Sequence, residues 1–565
     1  MAETHTLSAL AQQLPGAALG ITLDGPRIVV PGAPGMDVPQ TGKGWMRHEA
    51  PTVWPNIPHG DARPTLLFGI LKDSGAPNSQ APLDGQLWNA LEEQLPGDSR
   101  QQRKVLAAAM RAKFWTTAGN GRTRATSADS KRFLLPLHAT LPMSFRQEKA
   151  EGGETAFRYK MFRGTVLPFL LSGTDGHADE LLLRELLEVF TSDDDLTVLD
   201  REVLQIAQKI APSEAQLDPG FLIATSGDVL DRMRSAGGGF CGPSLEQFRS
   251  DLRLVLTMSL PRRDLIHQIT LLLSLHLATR LYRAAMILSL QLDACTALYT
   301  PDRTDSGEPS CGQGCCGSSA NCDLAGRMRF RTGSGTFRPV KLTDPCVASY
   351  RDLTSNYLLP LPVTISTVNI AADALRAAGG AALPPCDPVG LRNELAADAA
   401  LRSRFDAVTR LLAAARVHQL RGNAEELAEP ASLRLPGLHT LRMALLEGRR
   451  STMRREGREV VHQLAKEVRA GRLISSNGNA AVFFELDEDM IHLLVRITCG
   501  NELIPYREFL ARLRRYGLHP QHRDEELILQ QALARLGMLE RYSDAAESAY
   551  VRYPDTDTDD EEQDA

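Results

Sequence analysis

The chain lacks the compact catalytic signatures that spacing alone reveals. It contains no phosphate-binding P-loop, no G-x-S-x-G nucleophile elbow and no zinc-protease H-E-x-x-H. Aromatic residues are only 5% of the 565 residues, and 63 basic residues nearly balance 69 acidic ones. These absences favour a non-catalytic role, and the net charge of −6 gives no overall sign of nucleic-acid binding.

Signals for secretion or membrane insertion are also missing. The N-terminal stretch MAETHTLSALAQQLPG has an early acid and no basic region. The only long apolar stretch, residues 260–292, is interrupted by His267, His276 and Arg280. We therefore expect a cytoplasmic protein with no membrane partner, whose nine cysteines act as thiols or metal ligands rather than as a disulfide framework.

The stretch 260–292 is the strongest structural feature of the sequence. Pro261 suits the first turn of a helix, and leucine and isoleucine then fall on nearly every side. A helix that is apolar all round is buried, and at about 1.5 Å per residue this one would be roughly 50 Å long. We predict a mainly α, multidomain protein built around this long central helix.

Composition divides the rest of the chain into segments. Short apolar runs between prolines and glycines predict strands near the N-terminus, and helical periodicity dominates later. The predicted segments are 1–98, Pro/Gly-rich with short strands; 99–300, a basic segment and a helical domain containing the central helix; 301–350, a Cys-rich loop insertion; 351–436, a helical continuation; 437–554, a winged-helix domain (α+β); and 555–565, a disordered acidic tail.

Cysteines are concentrated directly after the central helix. Six of the nine lie within 52 residues, and the inner ones follow C-x3-C-C-x5-C in a Gly/Ser-rich segment. Zinc takes four thiolate or imidazole ligands, so the segment predicts a structural Zn²⁺ site. An iron–sulfur cluster and reduced thiols without metal are the alternatives. The candidate ligands are Cys311, Cys315, Cys316 and Cys322, completed by Cys295 or Cys346.

Positive charge is concentrated in residues 100–163, in residues 438–472 and in the later predicted helix that contains Arg512, Arg514 and Arg515. Residues 100–163 hold 14 Lys or Arg against four acids, with aromatic residues between them. Basic side chains neutralise phosphates and aromatic faces stack on bases, which predicts nucleic-acid contact; solvated helix faces are the alternative. The candidate nucleic-acid-binding residues are Arg122, Arg124, Lys131, Arg132, Arg449, Arg450, Arg454, Arg455, Arg458, Arg512, Arg514 and Arg515.

The C-terminal region has a recognisable order of elements. Three predicted helices, with Gly517 between the second and third, precede a predicted strand–turn–strand. This order is typical of a winged helix-turn-helix. The third helix begins RDEE at residue 523, and acids there would repel phosphates. Such modules also serve protein contacts, so the order does not by itself predict DNA binding.

The ending RLGMLERYSDAAESAYVRYP and the helix before it carry a family resemblance. They resemble the C-terminal part of bacterial DNA-phosphorothioation-dependent restriction accessory proteins of the DptG kind, over about the last fifth of the chain. The resemblance implies a non-catalytic subunit that works beside ATPase and nuclease partners in phage defence. It assigns no catalytic residue and does not extend to the cysteine segment.

These observations lead to one expected function and two alternatives. We expect a non-catalytic DNA-binding or scaffolding subunit of a bacterial anti-phage, DNA-modification-dependent restriction complex. The first alternative is a cysteine- or metal-dependent enzyme centred on residues 295–346. The second is a protein–protein scaffold with no nucleic-acid role.

Overall fold

The structure is a computed structural model, and its described residues are mostly helical with only small sheets. This confirms the predicted mainly α class. The described residues are 2–47 (except 43), 89, 92–93, 95, 99–118, 131–134, 147–148, 154–155, 179–210 (except 193–194), 242–299, 330–332, 357–448, 475–477, 481–486, 488–518, 520, 523–542 and 549–554.

The α-helices of the described residues are labelled in chain order. They are α1 Ala2–Gln13, α2 Arg100–Phe114, α3 Glu180–Thr191, α4 Val198–Ile210, α5 Gly242–Leu256, α6 Arg262–Ala297, α7 Leu361–Ala377, α8 Pro388–Ala397, α9 Ala399–Arg421, α10 Pro430–Leu433, α11 Gly437–Gly448, α12 Glu488–Cys499, α13 Tyr506–Arg515 and α14 Arg523–Arg535.

The strands are short and pair in five small sheets within the described residues. These strands are β1 Thr22–Asp24, β2 Arg27–Val29, β3 Met36–Asp37, β4 Trp115–Ala118, β5 Lys131–Leu134, β6 Gln147–Glu148, β7 Glu154–Thr155, β8 Phe330–Thr332, β9 Ser475–Asn477, β10 Ala481–Leu486, β11 Ile504–Pro505, β12 Leu539–Arg541 and β13 Ala549–Val551. Three sheets have three strands, in the orders β1-β2-β3, β8-β10-β9 and β11-β13-β12, and the sheets β4-β5 and β6-β7 have two strands. Among these strand pairs only β8–β10 is parallel.

Helix α6 confirms the predicted buried central helix. Its leucines at 271, 272, 275 and 277 have no solvent exposure. Small polar side chains on α6 form hydrogen bonds within the helix: the Ser274 hydroxyl donates to the Thr270 carbonyl, four residues earlier, at 2.8 Å. By length and composition α6 could cross a membrane, but its most apolar window is entirely buried, as in the core helix of a globular fold.

The chain divides into two compact units, each made of separated segments. The first unit contains Met1–Trp54, Leu281–Gly317 and Arg351–Val461. The second contains Pro55–Arg280, Ser318–Tyr350 and His462–Ala565. Helix α6 therefore contributes residues to both units, whereas the predicted segments were continuous stretches of chain.

In the first unit, the N-terminal segment is held on helix α9. The Trp45 indole donates from Nε1 to Gln419 Oε1 at 2.9 Å, and Gln419 Nε2 donates to the Pro39 carbonyl at 2.9 Å. Gly16 allows a close approach, since a Cβ there would lie 2.9 Å from the Ala407 Cβ. The N-terminal region is therefore bound to a helix that begins more than 350 residues later.

Helices α8 and α9 follow each other directly, with Asp398 alone between them. Asp398 lies between α8 and α9 with an extended backbone, and its carboxylate accepts hydrogen bonds from the amides of Ala400 and Leu401 at 2.8 and 3.1 Å. These amide hydrogen bonds lower the pKa of Asp398. An N-cap of this kind starts a new helix because it satisfies amides that have no earlier carbonyl.

In the second unit, two consecutive arginines at the start of α6 hold the ends of two other helices. Arg262 donates to the Ser192 carbonyl, which follows α3, at 2.7 Å. Arg263 lies 2.5 Å from the buried carboxylate of Asp200. Asp200 also accepts from the Thr197 hydroxyl at 2.7 Å, which caps the start of α4. Helices α3 and α4 are thus both fixed to α6.

Gly437 is where α11 begins against α9. A Cβ at this position would collide with the backbone oxygen of Asp406 and the hydroxyl of Thr409. The Gly437 amide also donates to the Asp406 carboxylate at 2.6 Å. The contact between the two helices therefore depends on the absence of a side chain at this residue.

We predict that Gly437→Ala lowers the free energy of unfolding by about 1–3 kcal/mol, because the added methyl group has no space and the backbone must shift. Chemical denaturation of the full chain measures this loss. Gly42→Ala is the matched control, since a Cβ at Gly42 would meet nothing within 4 Å. Equal effects of the two substitutions would contradict the close packing of α11 on α9.

Candidate functional site

The C-terminal part of the second unit is the candidate functional module. Its elements follow in the order α12, β11, α13, α14, β12 and β13. In the sheet, β11 pairs antiparallel with β13, and β13 pairs antiparallel with β12. The predicted three helices and the terminal strand pair are present, and Gly517 takes a positive φ of 79° between the second and third helices.

Arg512 is engaged by the protein itself. Its guanidinium donates to the Glu508 carboxylate at 2.6 Å and lies 3.7 Å from the carboxylate of Glu502. It also donates to the backbone carbonyl of Thr498. These acceptors neutralise a side chain that the sequence suggested for phosphate contact, whereas Arg514 and Arg515 at the end of α13 are exposed.

The surface at the start of α14 is not basic. Arg523 is exposed, Glu525 and Glu526 are half-buried, and Leu527 is 43% exposed. Residues 488–554 contain nine arginines, ten acidic residues and no lysine. The module therefore lacks the excess positive charge that DNA-binding domains use to attract phosphates.

A buried polar network joins this module to helices α5 and α6. The Asp251 carboxylate lies 2.9 Å from His276 Nε2 and accepts a hydrogen bond from Gln247 Nε2 at 2.7 Å. Gln247 Nε2 also donates to the Tyr516 hydroxyl oxygen at 3.0 Å. Burial, and then the nearby charge of Asp251, raise the pKa of Tyr516 well above its usual value. No spacing in the sequence predicted this network.

The network has the residue types of a proton relay, but solvent does not reach its side chains. Asp251, His276 and Tyr516 are 2%, 5% and 3% exposed. The rings of Phe248 and Tyr516 pack edge-on against the His276 ring, at centroid distances of 5.0 and 5.8 Å. No substrate can reach these side chains as they are packed, so their role in this arrangement is to hold the module in place.

The last described residues are also fixed to the module. The Arg496 guanidinium carbon lies 4.0 Å from the centroid of the Tyr553 ring, a cation–π contact. The ring of His492, one turn earlier on α12, meets Tyr553 edge-on at 6.0 Å. Burial lowers the pKa of His492, which favours the neutral imidazole beside Arg496.

Most of the other predicted basic residues lie outside the described residues. Lys131 and Arg132 are on β5, where they pair in register with Ala118 and Thr117 of β4. Strands β4 and β5 therefore flank residues 119–130, which lie outside the described part of the chain. The predicted basic residues outside the described part are Arg122, Arg124, Arg449, Arg450, Arg454, Arg455 and Arg458.

Of the predicted zinc ligands, only Cys295 lies among the described residues. It has no solvent exposure, and its Sγ donates to the Pro388 carbonyl at 3.4 Å. Burial raises its pKa to about 12, so the neutral thiol is favoured over the thiolate that binds metal. No group of three or more His, Cys, Asp or Glu suited to a metal occurs in the described part of the chain. The site stays a prediction, with Cys311, Cys315, Cys316, Cys322 and Cys346 outside that part.

Comparison with known proteins adds no family assignment: no family model matches the chain, and no curated protein is significantly similar to it.

We predict that Asp251→Ala costs about 3–5 kcal/mol of unfolding free energy, because it leaves buried donors of His276 and Gln247 without their acceptor. Denaturant unfolding followed by Trp fluorescence measures the loss. Asp489→Ala is the matched control: Asp489 lies 3.4 Å from His267 Nε2, but both side chains are about half exposed, so it should cost about 0–1 kcal/mol. Similar losses would contradict the structural role of the buried pair.

The buried Cys295 thiol should make the unfolding free energy depend on pH in the alkaline range. Its pKa is 9.0 when unperturbed and about 12 in the fold, so the folded chain holds this proton more tightly than the unfolded chain does. The stabilising effect is complete below pH 9 and is lost as pH rises from 9 towards 12. Cys295→Ala should therefore reduce the alkaline decline in unfolding free energy, measured by denaturant titrations at several pH values. Identical pH slopes for the two proteins would refute this.

Proposed function

We propose that this protein is a non-catalytic scaffolding subunit of a bacterial anti-phage, DNA-modification-dependent restriction complex. The observation that carries the proposal is the surface at the start of α14. This surface presents acids and the exposed Leu527 where a DNA-reading helix would present basic residues. The defence context comes from the resemblance of the last fifth of the sequence to restriction accessory proteins.

The module formed by α12 to β13 is, in this proposal, a winged helix-turn-helix. Helix α14 takes the place of the recognition helix, and β12 and β13 form the wing. The pairing of β11 with β13 supports this, since it makes a three-stranded sheet beside the three helices.

The proposed partners are ATPase or nuclease subunits, contacted through α14. Protein interfaces are depleted of charge at their centre and use large apolar side chains there. Leu527 supplies such a side chain, and the acids around it supply a polar rim. The structural Zn²⁺ site in the cysteine segment remains part of the proposal as a stabilising element.

DNA binding is the second candidate function. The exposure of Arg514 and Arg515 at the end of α13 favours it, because both guanidinium groups are close enough in sequence to meet one phosphate backbone. The basic segment 100–163 belongs to the same unit and would supply further phosphate contacts. In this case the chain would bind DNA without reading bases through α14.

The test is co-purification of the full chain with the subunits encoded next to its gene. We expect the wild-type protein to elute with an ATPase or nuclease subunit in size-exclusion chromatography, and Leu527→Asp to elute alone, because a charge at the centre of the contact would be desolvated. Leu181→Asp is the control, since Leu181 is 71% exposed on α3, outside the module.

The DNA candidate is tested on the same proteins. Duplex binding by fluorescence anisotropy at about 50 and 200 mM salt should weaken steeply with salt if phosphates are contacted. Two results together would favour the DNA candidate over the scaffolding proposal. The double variant Arg514→Ala, Arg515→Ala would no longer bind duplex DNA, and Leu527→Asp would still elute with its partner subunits.

A further inference from the structure

The sheet β11-β13-β12 has one face buried in the C-terminal module and one face turned away from it. Residues opposite each other in an antiparallel pair share a face, and neighbours along a strand lie on opposite faces. Ile504 pairs with Val551, and both are buried. Pro505 and Glu540 both pair with Tyr550, so these three residues lie on the other face, which we call the outer sheet face.

The outer sheet face carries aromatic and apolar side chains that reach solvent. Tyr542, directly after β12, is 65% exposed, and its ring meets the half-buried Tyr550 ring edge-on with the centroids 5.4 Å apart. Pro505 is exposed, and so is Leu503, which directly precedes β11. Single exposed apolar residues are ordinary on a protein surface, whereas a group of them on one face marks an interaction site.

The exposed Tyr542 ring is held in place by the protein itself. Its hydroxyl donates to the Glu540 carboxylate at 2.6 Å, and Arg552 Nε lies 2.5 Å from the same carboxylate. A side chain that is ordered before binding loses less entropy when a partner covers it. Tyrosines of this kind are typical of the centres of protein–protein interfaces.

The chain around the outer sheet face is strongly acidic. Residues 540–565 contain ten acidic residues and two arginines, and one of the acids, Glu540, is already paired with Arg552. Tyr553 is fixed on α12 by Arg496, so the acidic sequence from residue 555 onward starts at this sheet. Such charge repels phosphates and attracts a basic protein surface.

We propose that the outer sheet face is a docking surface for a partner subunit whose contact surface is basic around an apolar centre. Tyr542 and Tyr550 contact the apolar centre, and the acids of residues 540–565 attract the basic groups around it. The inference rests on the proposed function, and it adds to the α14 contact a second surface with a defined partner chemistry.

The aromatic contact is tested by the binding kinetics of the full chain on the immobilised ATPase or nuclease subunit encoded next to its gene. We expect Tyr542→Ala to bind at least tenfold more weakly, mainly through faster dissociation, because the ring is the centre of the contact. Val198→Ala is the matched control and should bind like the wild type, since Val198 is 78% exposed on α4, outside the module. Unchanged thermal unfolding of Tyr542→Ala would show that its fold is intact.

The charge is tested in a full-length variant in which the seven acids of residues 555–564 are changed to Asn or Gln. At about 50 mM salt this variant should associate at least tenfold more slowly than the wild type and dissociate at the same rate. Wild-type association should also slow as salt rises to about 300 mM, and the variant should respond less.

Three outcomes would overturn the inference. In the first, Tyr542→Ala binds the subunit like the wild type. In the second, association is independent of salt and of the seven acids. In the third, Tyr542→Ala weakens binding to duplex DNA but not to the subunit, which would assign the face to DNA.

Failure of the proposed function gives a different pattern. If Leu527→Asp abolishes subunit binding and Tyr542→Ala does not weaken it, the proposed function stands and the outer sheet face is not a docking surface. If the wild-type protein binds neither subunit, the proposed function itself is wrong.

Discussion

The removal of helix α6 from water is the constraint on which the rest of the structure depends. The helix is apolar on nearly all sides, so other segments cover most of its length, and its buried polar groups are stabilised by partners inside the protein. The hydroxyls of Thr270 and Thr279 donate to carbonyls one turn earlier. The His276 ring finds its hydrogen-bond partner on another helix, in the Asp251 carboxylate.

Several arginines in the described part of the chain connect separate helices. Arg263 reaches Asp200, Arg253 lies 2.7 Å from Asp179, and Arg442 lies 2.7 Å from Asp293. In each pair a carboxylate near a helix end or on a helix side receives the guanidinium. Against this pattern, an arginine count says little about nucleic-acid binding, because many of the charges are already neutralised within the chain.

Local periodicity predicted much of the helical fold. Helix α6 lies close to the predicted stretch, and helices α12, α13 and α14 occur in the predicted order, because the pattern of apolar residues is a property of each helix alone. The boundary between α8 and α9 also has a signal in the sequence, since Asp398 is a residue type that starts helices.

The candidate site was harder to predict, since it depends on contacts between distant residues. Nothing in the helix containing His276 indicates Tyr516, which lies 240 residues later, although the spacing of Gln247 and Asp251 was compatible with a shared helix face. For Arg512 a signal was present: Glu508 lies four residues earlier, where a helical ion pair forms. The order of the C-terminal elements and the acids at the start of the third helix were visible in the sequence, whereas the exposure of Leu527 beside those acids was not.

The division of the first unit into three separated segments has a consequence for synthesis on the ribosome. Trp45 emerges early, but the helix that receives it is made more than 350 residues later. During that interval the N-terminal strands have no core to cover, and their apolar faces are available to chaperones or to other nascent chains. Shortening the protein from its C-terminal end beyond α9 would therefore leave its first fifty residues without their binding surface, even though those residues themselves are intact.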